Sequence, residues 1–386
     1  MSSIVLSASV RQNLLSLQST ADLLSTTQNR LATGNKVNSA LDNPTNFFTA
    51  QGLNNRASDI NNLLDSIGNG VQVLQAANTG ITSLQKLVDT AKSIANQVLQ
   101  APAGYTTKST VSSTALTGTA GGLVDGTVLK ATDVLAIAAS AGHAAFTFTF
   151  TATTSLADLN TALAASNMSA SLDSANKLVI TTTNDTASST IGAVTFTHTG
   201  TATFGTTGSA PAADAASLTI RAGLVKQYND IVTQITTTSQ DASFNGINLL
   251  TGDDLKLTFN ETGKSTLNIQ GVVFNAAGLG LAPMVAGTDF LDNSSANAAL
   301  VKLSSASTTL RTQASSLGSN LSVVQIRQDF NKNLINVLQT GSSNLTLADT
   351  NEEAANSQAL STRQSIAVSA LALANQSQQS VLQLLR

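Results

Sequence analysis

The chain contains no cysteine and no tryptophan among its 386 residues, only four prolines, 4% aromatic residues and 11% charged residues. Without cysteine there are no disulfides and no thiolate chemistry, and cysteine usage gives no clue to redox compartment. With so few charges of either sign, a net charge of −3 and a pI near 5.3, no global field draws the chain to nucleic acid or to an anionic membrane. No apolar run approaches the roughly 20 residues needed to span a bilayer. The opening stretch MSSIVLSASVRQN has neither a basic leader nor a proper apolar core, which predicts no ordinary secretory signal. The polar load falls on Ser, Thr, Asn and Gln, a composition suited to surfaces that pack against copies of themselves.

Catalytic constellations are equally sparse. The two histidines, His143 and His198, lack metal-ligand spacing and have no cysteine to join them, so neither a metal site nor a cofactor is expected. The stretch ETGKST looks like a phosphate loop, but Thr258 stands where the first glycine is required and the context is a turn between two strands. Asp253-Asp254 reads as turn chemistry, because no pocket around a carboxylate pair is predicted. On these grounds the chain is not expected to be an enzyme. The Asn-x-Ser/Thr triplets at Asn167, Asn184 and Asn344 are what chance supplies in so Asn-, Ser- and Thr-rich a chain.

What is present is helical periodicity. Val10, Leu14, Leu17, Ala21, Leu24 and Leu31 recur at four-three steps, with Gln28 in the polar slot, as in an a/d seam that needs another helix against it. Gly34 is placed to end this helix in a left-handed cap. Asn43 and Pro44 restart the chain as N-cap and first helical residue. A longer stripe follows from Leu53 to Val98, with one phase shift, until Pro102 stops it. Helical pattern returns around 215–237 and again from about 296, with a hinge expected at Thr340-Gly341. The final stretch carries Ala367, Leu371, Ala374, Val381 and Leu385 at three-four spacing, with Gln378 in its polar slot.

Between about 105 and 214 there is no Arg and no Glu, and Thr, Ala, Ser and Gly dominate. AAFTFTFTATT alternates Phe146, Phe148 and Phe150 with Thr147, Thr149 and Thr151, a half-buried strand. KLVITTT and GAVTFTHTGTATF read alike, and a short helix capped by Ser155 lies between the strands. Farther on, LKLTF and TLNI flank NETGKS as a β-hairpin. The expected fold is mainly α and multidomain. The chain doubles back as a hairpin whose N- and C-terminal helices pair in a coiled-coil core, with a β-hairpin in a second layer and a small α+β inserted outer domain. The expected boundaries are 1–42 with 345–386, 43–104 with 215–344, and 105–214. Both ends carry a seam, and between Ile366 and Arg386 only the last residue is charged. An isolated exposed helix would show charge there.

These residues resemble bacterial flagellin. The likeness lies in QNLLSLQ, RLATGNKVNSALDN, the Phe-Asn-Gly turn of SFNGINLL, and IAVSALALANQSQQSVLQLLR; a weaker likeness to the small inserted motif of flagellins and hook proteins covers 155–182. It spans roughly the first 100 and last 90 residues and the return segment 215–260. The resemblance implies a homo-oligomeric helical filament used for motility, export unfolded through the flagellar type III apparatus, and an extracellular location. It also implies three kinds of partner: an export chaperone at the C-terminal helix, a filament cap and hook-junction proteins. It implies ends that order only on assembly, since Gln/Ser/Ala-rich helices alone bury too little to offset roughly 1–2 kcal/mol per residue of backbone ordering. A hook–filament junction protein, or a secreted adhesin or surface enzyme using the insert, are the competing readings. One departure stands out. Flagellins seen by the animal innate receptor carry Leu-Gln-Arg-Val-Arg-Glu-Leu, where this chain has LQKLVDT, so Lys86, Val88, Asp89 and Thr90 form a degenerate receptor patch and weak engagement is expected.

Overall fold

The computed structural model describes residues 8–384. Helices dominate. Ala8–Thr33 forms α1 and Pro44–Gln100 forms α2. Asn43 accepts the Asn46 amide at 3.0 Å, so the Asn-Pro pair starts α2 through its side chain. Gly34, at φ +71°, follows α1 directly, a backbone turn that glycine adopts without a Cβ penalty. The strands β1 (Tyr105–Thr107), β2 (Thr110–Ala115), β3 (Val134–Ile137) and β4 (Phe146–Thr149) precede the short helix α3 (Leu156–Ala164). Then come β5 (Met168–Leu172), β6 (Lys177–Thr182), β7 (Val194–Thr197) and β8 (Ala212–Ala213). The chain returns through α4 (Ala215–Asp241), β9 (Leu255–Thr258), β10 (Thr266–Ile269), α5 (Asn293–Thr346) and α6 (Thr350–Leu384).

Contacts divide the chain into two units. One comprises 1–70, 256–267 and 323–386. In it α1 packs along α6, and Ala57 and Ile60 of α2 close a small core with Ile335 and Leu338 of α5. The tip of the β9–β10 hairpin is fixed within this unit. Asn331 donates to the Phe259 carbonyl at 3.0 Å, the Arg327 guanidinium lies over the Phe259 ring, and Arg56 pairs with Glu261 at 2.7 Å. Gly263 turns that tip at φ +70°, so the phosphate-loop-like ETGKST is a hairpin turn.

The second unit comprises 71–255 and 268–322. Here α2 buries Leu74, Ala77, Ile81, Leu84, Val88, Ala91, Ala95 and Val98, while α4 buries Leu224, Val225, Tyr228, Val232 and Ile235. The insert within it has its own core. Antiparallel sheets ordered β2-β6-β5 and β4-β3-β7 bury Leu135, Phe146, Phe150, Leu178 and Ile180 together with Leu159 and Leu163 of α3. Ser155 and Asp158 form a reciprocal capping box at the start of α3, as the sequence predicts for that serine. Thr147 and Thr149 point to solvent between the buried phenylalanines.

Two expectations about elements need correction. Gly341 is no hinge, because α5 runs unbroken to Thr346. A Cβ at 341 would lie 3.5 Å from Leu53, an ordinary van der Waals distance, so this helical position has room for a methyl group. The break comes at Leu347–Asp349, where Asp349 caps α6 by accepting the Asn351 and Glu352 amides at 2.9 and 3.3 Å. The polar slot of the N-terminal seam is also misplaced. Thr27 is buried and Gln28 is exposed, so the buried line steps three residues, not four, after Leu24.

Candidate assembly surface

The terminal helix pair gathers most of the residues that the sequence singles out. On α1, Val10 is buried and Leu17, Ala21 and Leu24 are half-buried, whereas Leu14 and Leu31 sit at the margin, about two-fifths exposed. On α6 the line Glu353, Ser357, Leu360, Gln364, Ala367, Leu371, Ala374 is at least half-buried throughout, at strict four-three spacing. Leu385 lies outside the described residues, and Val381 lies on α6 without a described side chain. The faces turned away from this seam carry exposed apolar side chains among Ser, Thr, Gln and Ala. Leu15 and Leu23 are exposed on α1, and Ile366 (63% exposed), Val368 and Leu373 (70%) on α6. A second exposed stripe, Val323, Ile326, Phe330 and Val337, runs along α5 at helical spacing, with Leu41 exposed in the turn before α2 and Phe48 in its first turns. Sequence reading passed over this α5 stripe because its inner neighbours Val324, Ile335 and Leu338 already fill a regular pattern.

At the root of the pair both chain crossings are stitched together. The Lys36 and Val37 amides donate to the Thr346 carbonyl at 2.7 and 3.3 Å, and the Ala348 amide donates to the Gly34 carbonyl at 2.9 Å. The Lys36 ammonium reaches the Asn344 carbonyl at 3.1 Å, and Arg30 pairs with Glu353 at 3.2 Å. The end of α5, whose last carbonyls have no helical partners, is thus capped by donors from the elbow after α1. Asp42 closes that elbow by accepting the Ser39 and Asn38 amides at 2.8 and 3.0 Å, and these bonds hold its carboxyl below the ordinary 3.8.

Among the described residues, no three His, Asp or Glu side chains cluster to hold a metal ion, and no helix is long and apolar enough to cross a membrane. His143 is buried in the insert with Nδ1 2.8 Å from the Ser166 carbonyl. Asp253 and Asp254 accept the Asn248 and Gly271 amides, as turn residues do. The receptor-like patch on α2 needs a correction. Lys86, Asp89 and Thr90 are exposed, but Val88 is fully buried and presents nothing to a partner. Its position belongs to the apolar stripe that runs Ile81, Leu84, Val88, Ala91.

The comparisons follow this division of the chain. The family described as the bacterial flagellin N-terminal helical region matches residues 4–126, and the bacterial flagellin C-terminal helical region matches 300–385. The chain belongs to the bacterial flagellin family. Similar proteins include flagellin FljM of Caulobacter vibrioides, 32% identical over 42% of this chain and 59% of its own length. Flagellin FljK of the same organism is 31% identical over the same shares. Flagellin A of Rhizobium meliloti is 36% identical over 32% of this chain and 27% of its own. The matched region thus spans about three-fifths of the Caulobacter flagellins' length. The family-matched segments contain α1, the α2 stripe and α6, and the strands of the insert beyond residue 126 lie outside them.

Proposed function

We propose that this chain is a structural subunit that self-assembles into the extracellular bacterial flagellar filament. The observation that carries this reading is α6. One side of it lies on α1, its outer side exposes Ile366, Val368 and Leu373, and no charged side chain occurs from Ile366 to Leu384. Exposed apolar side chains on a helix with no charged residue to solvate it suit burial against another copy. In this reading copies dock head to tail through different patches, and a heterologous contact whose rotation does not close propagates as an open helix. In this reading 1–42 with 345–386 form the inner layer, 43–104 with 215–344 the next, and 105–214 faces solvent. Export proceeds unfolded through the flagellar type III apparatus, with a chaperone at the C-terminal helix and with cap and hook-junction proteins as assembly partners.

The test is kosmotropic-salt assembly of purified chain, followed by sedimentation and electron microscopy. Long filaments are expected from the parent. A chain ending at Gln376 and an I366D/L373D variant are expected to stay in the supernatant. A parent that stays monomeric, or a doubly charged variant that polymerises like it, overturns the reading. The patch at Lys86, Asp89 and Thr90, with Lys86 and Val88 standing where the receptor-engaging motif has its two arginines, is expected to engage the animal innate receptor weakly. Strong receptor activation by nanomolar monomer would refute that.

A further inference from the structure

The seam between α1 and α6 holds the two helices together but does not choose their alignment. Sliding α1 by one heptad puts Leu17 where Val10 was, Leu24 where Leu17 was and Leu31 where Leu24 was. The same slide along α6 exchanges Ala367 with Ala374 and Ser357 with Gln364. Every seam residue beyond Glu353 is uncharged, and Ser357, Ala367 and Ala374 among them are small, so such a slide buries no charge. Natural coiled coils fix alignment with an isolated polar or charged contact. Here the one ion pair between the helices among the described residues is Arg30–Glu353, and it sits at their root. Glu353 is only 8% exposed, so moving its partner strands a desolvated carboxylate. The pair also suits both helix ends, with a guanidinium in the last turn of α1 and a carboxylate in the first turn of α6. Immediately beside it lie the backbone bonds Lys36–Thr346, Val37–Thr346 and Ala348–Gly34 and the Lys36–Asn344 contact.

We propose that this root clasp, Arg30–Glu353 together with the Gly34–Val37 and Asn344–Ala348 cross-stitches, sets the register of α1 on α6, while the apolar seam supplies adhesion without register. The inference rests on the reading of α1 and α6 as a packing unit, and it is read by a distance, not by filament yield. Because the chain has no cysteine, Q18C and S369C, both at exposed positions, give two unique spin-label sites. Electron–electron dipolar distances are recorded in dilute chain and in polymer diluted with unlabelled protein. The parent is expected to give one narrow distance in at least one form. E353K combined with K36P, which opposes Arg30 with a cation and removes an amide donor, is expected to add a population displaced by up to about 10 Å, one heptad of helix rise. R30Q alone is expected to add a smaller share of the same population. L371A is expected to reduce the narrow population without adding a displaced one. A parental distance retained by the clasp variant, a displaced distance produced by L371A, or a parent without a narrow distance in either form overturns the proposal. Failure of the parent to form filaments with its narrow distance intact overturns the proposed function alone.

Discussion

At the scale of single residues, Arg221 holds more of the second unit than any residue the sequence reading picked out. It is 2% exposed, yet all five of its N–H groups are used. Nε donates to the Pro102 carbonyl at 2.8 Å, Nη1 to Phe290 and Leu291 at 2.9 and 3.2 Å, and Nη2 to Ala101 and the Asn293 side chain at 3.3 and 3.1 Å. It therefore ties the chain just after α2 to the approach to α5. Burial lowers its pKa, and the Asp292 charge opposes that shift. Replacing it with methionine strands the buried Phe290 carbonyl, at about 1–3 kcal/mol, and takes the donor from three partly buried carbonyls besides. R221M is expected to destabilise the chain by about 3 kcal/mol or more, measured as a lower urea midpoint, and R221K to recover less than half, because an ammonium cannot span the fork geometry. A wild-type midpoint for R221M would refute this role. The signal was present in the sequence, since Arg221 interrupts the stripe Leu224, Tyr228, Ile235 at helical spacing. A lone arginine on an apolar face does not announce that its partners are carbonyls more than 60 residues away.

At the scale of elements, the helices were legible wherever periodicity coincided with a cap. Asn43-Pro44, Gly34 and Ser155 act through local backbone geometry, and local geometry is what a sequence encodes most directly. Two failures came from non-local causes. Glycine at 341 suggested a break, but α5 runs through it, packed at ordinary distance against Leu53 of α2. The real break at Leu347–Asp349 had a signal of its own in Asp349 followed by Glu352, an N-terminal cap pattern. The topology of the insert's two three-stranded sheets was not readable, because strand order depends on pairings between distant segments. The hinge and contact readings of Gly341 separate cleanly. In a continuous helix, G341A is expected to stabilise the chain by up to about 1 kcal/mol through helix propensity, seen as a higher melting temperature, with assembly unchanged. An essential hinge would instead show normal folding and lost assembly.

At the scale of the molecule, the insert is built to be separable from the surfaces that assemble. Its two ends meet: Tyr105 pairs with Ala213, and the Asp214 amide donates to the Gly104 carbonyl at 2.9 Å. Its core of Leu135, Phe146, Phe150, Leu163 and Ile180 is made from its own residues. Its side-chain ties to the α5 segment include Asp292, which accepts both the amide, at 2.9 Å, and the hydroxyl of Ser188, and Asn297, whose side-chain amide donates to Asp185 at 3.5 Å. Closing a gap whose ends already adjoin costs little loop entropy. A chain lacking 106–212, joined by two glycines, is therefore expected to retain its helical circular dichroism and to polymerise in salt as the full chain does. The exposed stripes on α1, α5 and α6 are untouched by that excision, so filament formation should follow them and not the insert. If the shortened chain keeps its helices but no longer assembles, the threonine-rich domain is itself part of the subunit interface. A surface role for the insert, of the kind an adhesin would have, would then have to share that domain with assembly.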